Sequence, residues 1–314
     1  MRMRSLALVS VGLLALGGAG CGSGDQSGRP TTDTDSSLSD SASGSVTSDS
    51  SGGGAPIRLA AGVIPAGPSE ITDAADVRAV LATMGFPTAW PMPDGLVAAD
   101  VLGLEASQTA GSDGTKATFS LTWRQAAGAL DDAAQQWFET ANSALAVGPL
   151  IGTSKTGSGA VAGVSYSAGA DDEPSGRLTV TASSVDADSI AVQVEFEFVN
   201  ESPTPTLQFA PSTIAALPSI TGCVPELVQA SFVRYDAPNA AAGQRDYTTI
   251  FQGRCASRAT FDSTVSWAVG RDGRITQDED SIEVTDSTGP DGESLHVGAS
   301  ASGSVRIDTA ATVG

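Results

Sequence analysis

The chain has 314 residues, with 36 acidic against 16 basic side chains, a formal charge of −20, one histidine and three cysteines. That charge disfavours nucleic acid, because phosphate contacts need basic surface. The single histidine excludes a multi-histidine metal centre, and three cysteines cannot staple a disulfide-dense scaffold. Hydrophobic residues at 40% with charged ones at 17% still permit a packed core, so disorder throughout is excluded too.

In chain order, the first element is an address. Arg2 and Arg4 precede an uncharged apolar run over residues 6–16, and Gly17, Gly18, Ala19 and Gly20 lead to Cys21. The run is shorter than the roughly 20 residues a spanning helix needs, so it reads as an export signal over 1–20. Ala19-Gly20-Cys21 resembles a bacterial lipobox, with Gly18 where such motifs usually carry Leu. The resemblance implies cleavage before Cys21 and acylation of its thiol, which places the chain on the extracytoplasmic side of a membrane. Residues 22–55 are dominated by Gly, Ser, Thr and Asp, as in SGSVTSDSSGGG over 43–54. Such a segment buries too little apolar area to offset ordering entropy, and as a coil it spans about 30 Å, a tether. Only Lys116 and Lys155 stand against 14 arginines, amid abundant Ala and Gly. With the signal, this composition is similar to an actinomycete envelope lipoprotein over the first 55 residues. Losing Arg2 and Arg4 leaves 36 acids against 14 bases, a surface that repels anionic lipid and holds the body off the membrane.

Residues 56–314 carry the folded body. Apolar spacing predicts a helix over 72–84, capped by Thr72 and stopped by Gly85 and Pro87. A Pro-rich hinge follows, with Phe86, Trp90 and Met92. Strands are expected over 97–106 and 115–124 around the turn Gly111 to Gly114; in the second, Ala117, Phe119, Leu121 and Trp123 alternate with Lys116, Thr118, Ser120 and Thr122. The period then changes, and Leu130, Ala134, Trp137, Phe138, Ala141 and Leu145 share one face of a helix over 130–146. Further strands are expected over 160–168, 176–184 and 189–199. Strict alternation implies an antiparallel sheet with one wet face and a helix on the dry one. After a Pro-rich linker at 201–218 the pattern restarts with strands over 227–236 and 246–254 and a helix over 258–269. Arg124 and Arg254, Asp132 and Asp262, and Trp137 and Trp267 are each 130 residues apart. The expected architecture is therefore α+β: two sequential half-domains, 56–200 and 219–314, each an antiparallel sheet plus helix, related by a degenerate β-β-α-β repeat. Cys223 at the start of one hairpin strand and Cys255 at the end of its partner should meet as a disulfide, worth about 3–4 kcal/mol in the chain-entropy model.

No catalytic constellation stands out. Gly163-Val164-Ser165-Tyr166-Ser167 lacks the second glycine of a nucleophile elbow, and Ser154-Lys155 are adjacent rather than a helical turn apart. The run 152–157 is not a phosphate loop, because its lysine precedes the second glycine. His296 is the lone base candidate and reads as an ordinary strand residue. Asp278-Glu279-Asp280 and the acidic turn 286–293 read as solvated turns without calcium-loop spacing, as does 171–173. Nothing implies a metal or cofactor. With Trp123, Trp137 and Trp267 on inward positions, Phe86, Trp90 and Met92 form the candidate contact cluster, or else a plug beneath their own loop. The expected function is a lipid-anchored, non-catalytic binding or interaction module of the envelope, facing a protein partner or small ligand. A carrier of an apolar ligand and a carboxylate hydrolase are the alternatives.

Overall fold

The computed structural model describes residues 59, 61–65, 67, 69–156, 162–169, 176–209, 222–235, 244–256, 258–269, 273–286 and 294–313. Cys21, the tether, residues 210–218 of the Pro-rich linker and the acidic stretches 171–173 and 287–293 lie outside these residues.

The first hydrogen-bonded elements are a short strand β1 (Gly62–Ile64) and two short helices, α1 (Ser69–Thr72) and α2 (Val77–Thr83). The single helix expected over 72–84 is thus broken. Asp76, not Thr72, caps α2 by accepting from the backbone N–H of Arg78, which starts a new helix instead of extending the old one. Gly85 ends it at a φ of 79°. Next come β2 (Val101–Gly111), β3 (Gly114–Ala126), α3 (Leu130–Leu145), β4 (Leu150–Thr156), β5 (Gly163–Ala168), β6 (Arg177–Ser184), β7 (Ser189–Asn200) and the short β8 (Leu207–Phe209). The chain closes with β9 (Cys223–Arg234), β10 (Arg245–Cys255), α4 (Ala259–Ala268), β11 (Arg274–Gln277), β12 (Ser281–Asp286), β13 (Ser294–Ser300) and β14 (Ser304–Val313).

These strands overturn the expected fold class. There are not two α+β half-domains with a sheet each. Twelve strands form one antiparallel sheet in the order β11-β12-β13-β14-β10-β9-β2-β3-β7-β6-β5-β4, and the protein is mostly β. The sheet runs unbroken through both expected half-domains because β2 and β9 pair, from Gly103 with Val233 to Thr109 with Leu227. Strand order reads alike outward from this seam on either side, and the 130-residue offset carries β3 onto β10 and α3 onto α4 within that single sheet.

Alternation sets the two faces. Leu104, Ala106, Phe119, Leu121, Trp123, Val192, Val194 and Phe196 point to the dry side and are buried. Helix α3 lies over β5, β6 and β7, burying Ala134, Phe138, Ala141 and Leu145. Trp123 and Trp137 meet edge to face at 4.8 Å, with Trp137 donating to Gln125. Helix α4 covers β12 and β13 through Phe261, Thr264 and Ala268. Over the centre sit β1 and β8, a parallel pair, with Ile64 and Leu207 buried. Gly62 is required there, since a Cβ would lie 2.6 Å from the Gly85 nitrogen. The β2–β3 turn needs Gly114 likewise: its φ is 133°, and a Cβ would collide with the Asn200 carbonyl.

The outermost strands are poor templates for further pairing. On β4, Lys155 points toward the helix side and pairs with Asp131 of α3 at 3.2 Å; β11 is four exposed residues long. Inward charge and brevity both blunt a sheet edge. Cys223 and Cys255 are disulfide-bonded at neighbouring positions of β9 and β10, as their spacing suggested.

One buried amide fastens the central covering to the sheet. Gln108 is fully buried on the dry face of β2, and its Oε1 accepts from the backbone N–H of Thr206 at 2.6 Å and of Leu207 at 3.1 Å. Removing the acceptor strands these donors, at about 1–3 kcal/mol for a buried donor. Gln108→Ala should lower unfolding free energy in urea by about 2–3 kcal/mol; a loss below about 0.5 kcal/mol would show that the segment is held by its apolar contacts alone.

Candidate functional site

The wet face of the sheet is continuous and polar. Its rungs can be read across strands: Glu105 stands opposite Ser120, which stands opposite Glu195, which stands opposite Thr179. Gln229 donates to Glu105 at 3.1 Å and Gln193 to Ser120 at 2.9 Å. Lys116 pairs with Glu197 at 2.9 Å. Burial raises the Glu105 carboxyl above the usual range, and the Glu195 charge adds to it. Burial does the same to Glu195, with the Glu197 charge second and Arg177 and Lys116 opposing.

On the far side of the seam the same face carries another set. Thr285, His296, Asp308 and Ile250 form one rung, and Glu283, Gly298, Arg306 and Gln252 the next. The Arg306 Nε donates to both Asp308 carboxylate oxygens at 2.9 and 3.1 Å, and His296 Nδ1 lies 3.3 Å from Asp308. Asp308 thereby orients an imidazole and a guanidinium together. Two depressions flank the pair: one of about 320 Å³, floored by Gly298 and bordered by Glu283, Arg306 and Gln252, and one of about 100 Å³ beside Thr248 and Thr285. His296 lines both.

The sequence-derived candidates separate on this framework. Phe86 and Trp90 are buried, packed edge to face at 4.9 Å, with Phe86 against Phe119 at 4.9 Å. They plug the dry side beneath their own loop. Met92 is half-buried and borders a third depression of about 180 Å³ with Asp76, Arg78 and Asp94. Ser165 and Ser167 are strand serines bonded across to Thr181 and Thr179. Asp278 builds its turn, accepting from the backbone N–H of Asp280 and of Ser281, and those bonds hold its carboxyl below the usual range. His296 was recognisable only as a lone base. Its partner Asp308 is twelve residues away and becomes a neighbour only through the β13–β14 register. The open face itself was foreshadowed by the alternation in 115–124.

The class this defines is a mostly-β protein built on one twelve-strand antiparallel sheet with one helix-covered face and one open polar face. No protein-family model matches the chain, and neither does any curated protein or solved structure.

The half-buried glutamates set a pH dependence. A carboxyl whose folded pKa exceeds its unfolded one destabilises the fold once ionised, so stability falls as pH rises from the unfolded value through the folded one. Glu195→Gln should raise the Tm at pH 7, and the gain should shrink as pH approaches the ordinary glutamate pKa of about 4.3. No gain at pH 7, or a gain that grows on acidification, would contradict the assignment.

Proposed function

We propose that this protein is an extracytoplasmic lipoprotein, held to the membrane by lipid on Cys21 and a tether over 22–55, that acts as a non-catalytic binding module through the open face of its sheet. The observation that carries this reading is the asymmetry of the two faces. A sheet of twelve strands is sealed on one side by α2, α3, α4 and the β1–β8 pair, while the other side presents Ser, Thr, Gln, Glu and Arg without a covering element among the described residues. Among those residues no helix is long and apolar enough to cross a membrane, so the membrane contact in this proposal is the acylated cysteine, whose several chains suffice for stable anchoring. The acidic surface favours a partner that is neutral or basic, and disfavours nucleic acid.

The carrier reading draws less support. Between α3 and the sheet, Phe138 lies 5.8 Å from Tyr166 and Ala134 and Ala141 are fully buried, so that layer is filled with side chains. A carboxylate hydrolase would draw on Glu105 and Glu195, which share a rung two strands apart, about 10 Å between backbones. Neither of them borders the depression at Gly298.

The proposal has two separable parts and a test for each. Cys21→Ala should move the protein from the membrane fraction to the medium or block its maturation; unchanged membrane retention contradicts the anchor. A photocrosslinking residue at Thr118, in the middle of the open face, should capture ligand or partner in intact cells, whereas one at Gln136, exposed on α3, should not. Capture from Gln136 with none from Thr118 contradicts the binding face.

A further inference from the structure

The strand order on either side of the β2–β9 seam gives this protein an internal control for the depression at Gly298. Ser120 in β3 and Ile250 in β10 are 130 residues apart, as are Thr122 and Gln252. Across the sheet, Ser120 leads to Glu195 and Thr179, and Ile250 leads to Asp308 and His296. From the next rung, Thr122 leads to Gln193, Thr181 and Ser165, while Gln252 leads to Arg306, Gly298 and Glu283. So Thr181 and Gly298 hold equivalent positions.

In the first half, the Thr181 side chain occupies its position and its Oγ1 bonds to Ser165 at 2.8 Å. In the second half, glycine leaves that position empty, and a depression of about 320 Å³ opens between Glu283 and Arg306. The glycine is not demanded by backbone conformation, since no left-handed φ is found there, nor by crowding: a Cβ would meet nothing nearer than His296 Cε1, at 3.9 Å. Glycine inside a strand costs stability relative to residues with side chains, and a strand interior favours β-branched residues such as threonine. A strand glycine without a backbone reason leaves its effect on the surface as the explanation.

We propose that the depression floored by Gly298 is a binding site for a small, neutral, hydroxyl-rich ligand, a sugar or related polyol. The walls supply both kinds of hydrogen-bonding group: Arg306 and Gln252 donate, Glu283 accepts, and Ser281 and Ser304 do either. Arg306 is already paired with Asp308 and so offers an anion no free positive charge, and Glu283 together with the chain's charge of −20 further opposes one. The volume falls at the small end for ligand pockets, the size of one or two sugar rings. Asp308, on the adjoining rung, braces Arg306 and His296 from the side, which fixes the donors before the ligand arrives. Without an aromatic platform in the walls, affinity is expected near the millimolar range. This inference rests on the binding-face reading above and gives that face a ligand class.

The sole histidine makes the test direct, because the intact mature protein shows one imidazole in its NMR spectrum. At fixed pH, titration with glucose, galactose, N-acetylglucosamine and inositol should shift the His296 imidazole signals, with at least one compound saturating by about 10–50 mM. Gly298→Thr, which installs the residue used at the equivalent position, should abolish that shift while leaving the Tm equal or higher. Thr181→Gly should leave the shift unchanged. The proposal is overturned if none of the four compounds shifts the imidazole, if Gly298→Thr retains the shift, or if inorganic phosphate, ammonium or glycine moves it in their place. Failure here with crosslinking at Thr118 intact removes the sugar site and leaves the binding face; failure of both removes the face.

Discussion

The pairing of β2 with β9 is the contact on which the rest of the structure depends. Along it, Leu104 faces Phe232, Ala106 faces Ala230 and Gln108 faces Val228, all buried on the dry side. The small alanines at its centre let the covering elements sit close, and the flanking large residues fill the space on either side. Without this ladder each set of strands would end in an unpaired central edge, with its backbone N–H and C=O groups seeking partners. With it, the outer strands of the twelve-strand sheet among the described residues are β4 and β11, and those carry their own protection in Lys155 and in the shortness of β11. The seam also makes the open face continuous, so that the Glu105–Ser120–Glu195 rung and the His296–Asp308 pair belong to one surface.

Much of the local structure was legible in the sequence. Alternation in 115–124 and 189–199 gave β3 and β7 with the correct inward residues, the 3.6-residue period gave α3, and spacing brought Cys223 to Cys255. What escaped was long-range or non-periodic. The joining of the halves was invisible because the paired residues of β2 and β9 are 118 to 130 positions apart, and their pairing leaves no mark on either segment's alternation. The expected two-domain α+β arrangement failed for that reason: a pattern that restarts says that elements recur, not that they close on themselves. β4 was missed since all seven of its residues are exposed and no alternation survives. The break between α1 and α2 was missed because Asp76 outcompetes Thr72 as a cap, a choice made by the backbone turn and not by propensity.

The site shows the same division. Chemistry that depends on residue type could be listed in advance, but chemistry that depends on register could not. Asp308 gains its meaning from lying opposite His296, and Gly298 from lying where Thr181 lies in the other half. Aromatic content was a poor guide, since Phe86 and Trp90 serve the core. The acidity that dominates the composition also resolves into distinct roles. Asp131 is held low by hydrogen bonds from Tyr166 and Lys155, and Asp186 and Asp278 by hydrogen bonds within their own turns, whereas Glu105 and Glu195 are pushed up on the half-buried sheet face.

The central claim is that a single sheet runs through β2 and β9, and hydrogen exchange followed residue by residue tests it most directly. Along β2, successive amides point alternately to β3 and to β9, so an interior strand protects both sets and an edge strand only one. The account predicts that the amides over 104–108 and 228–232 are protected without alternation and exchange far more slowly than those of β4 and β11. Alternating protection, with every second amide of β2 and β9 exchanging as fast as the edge strands, would contradict it and return the protein to two separate sheets.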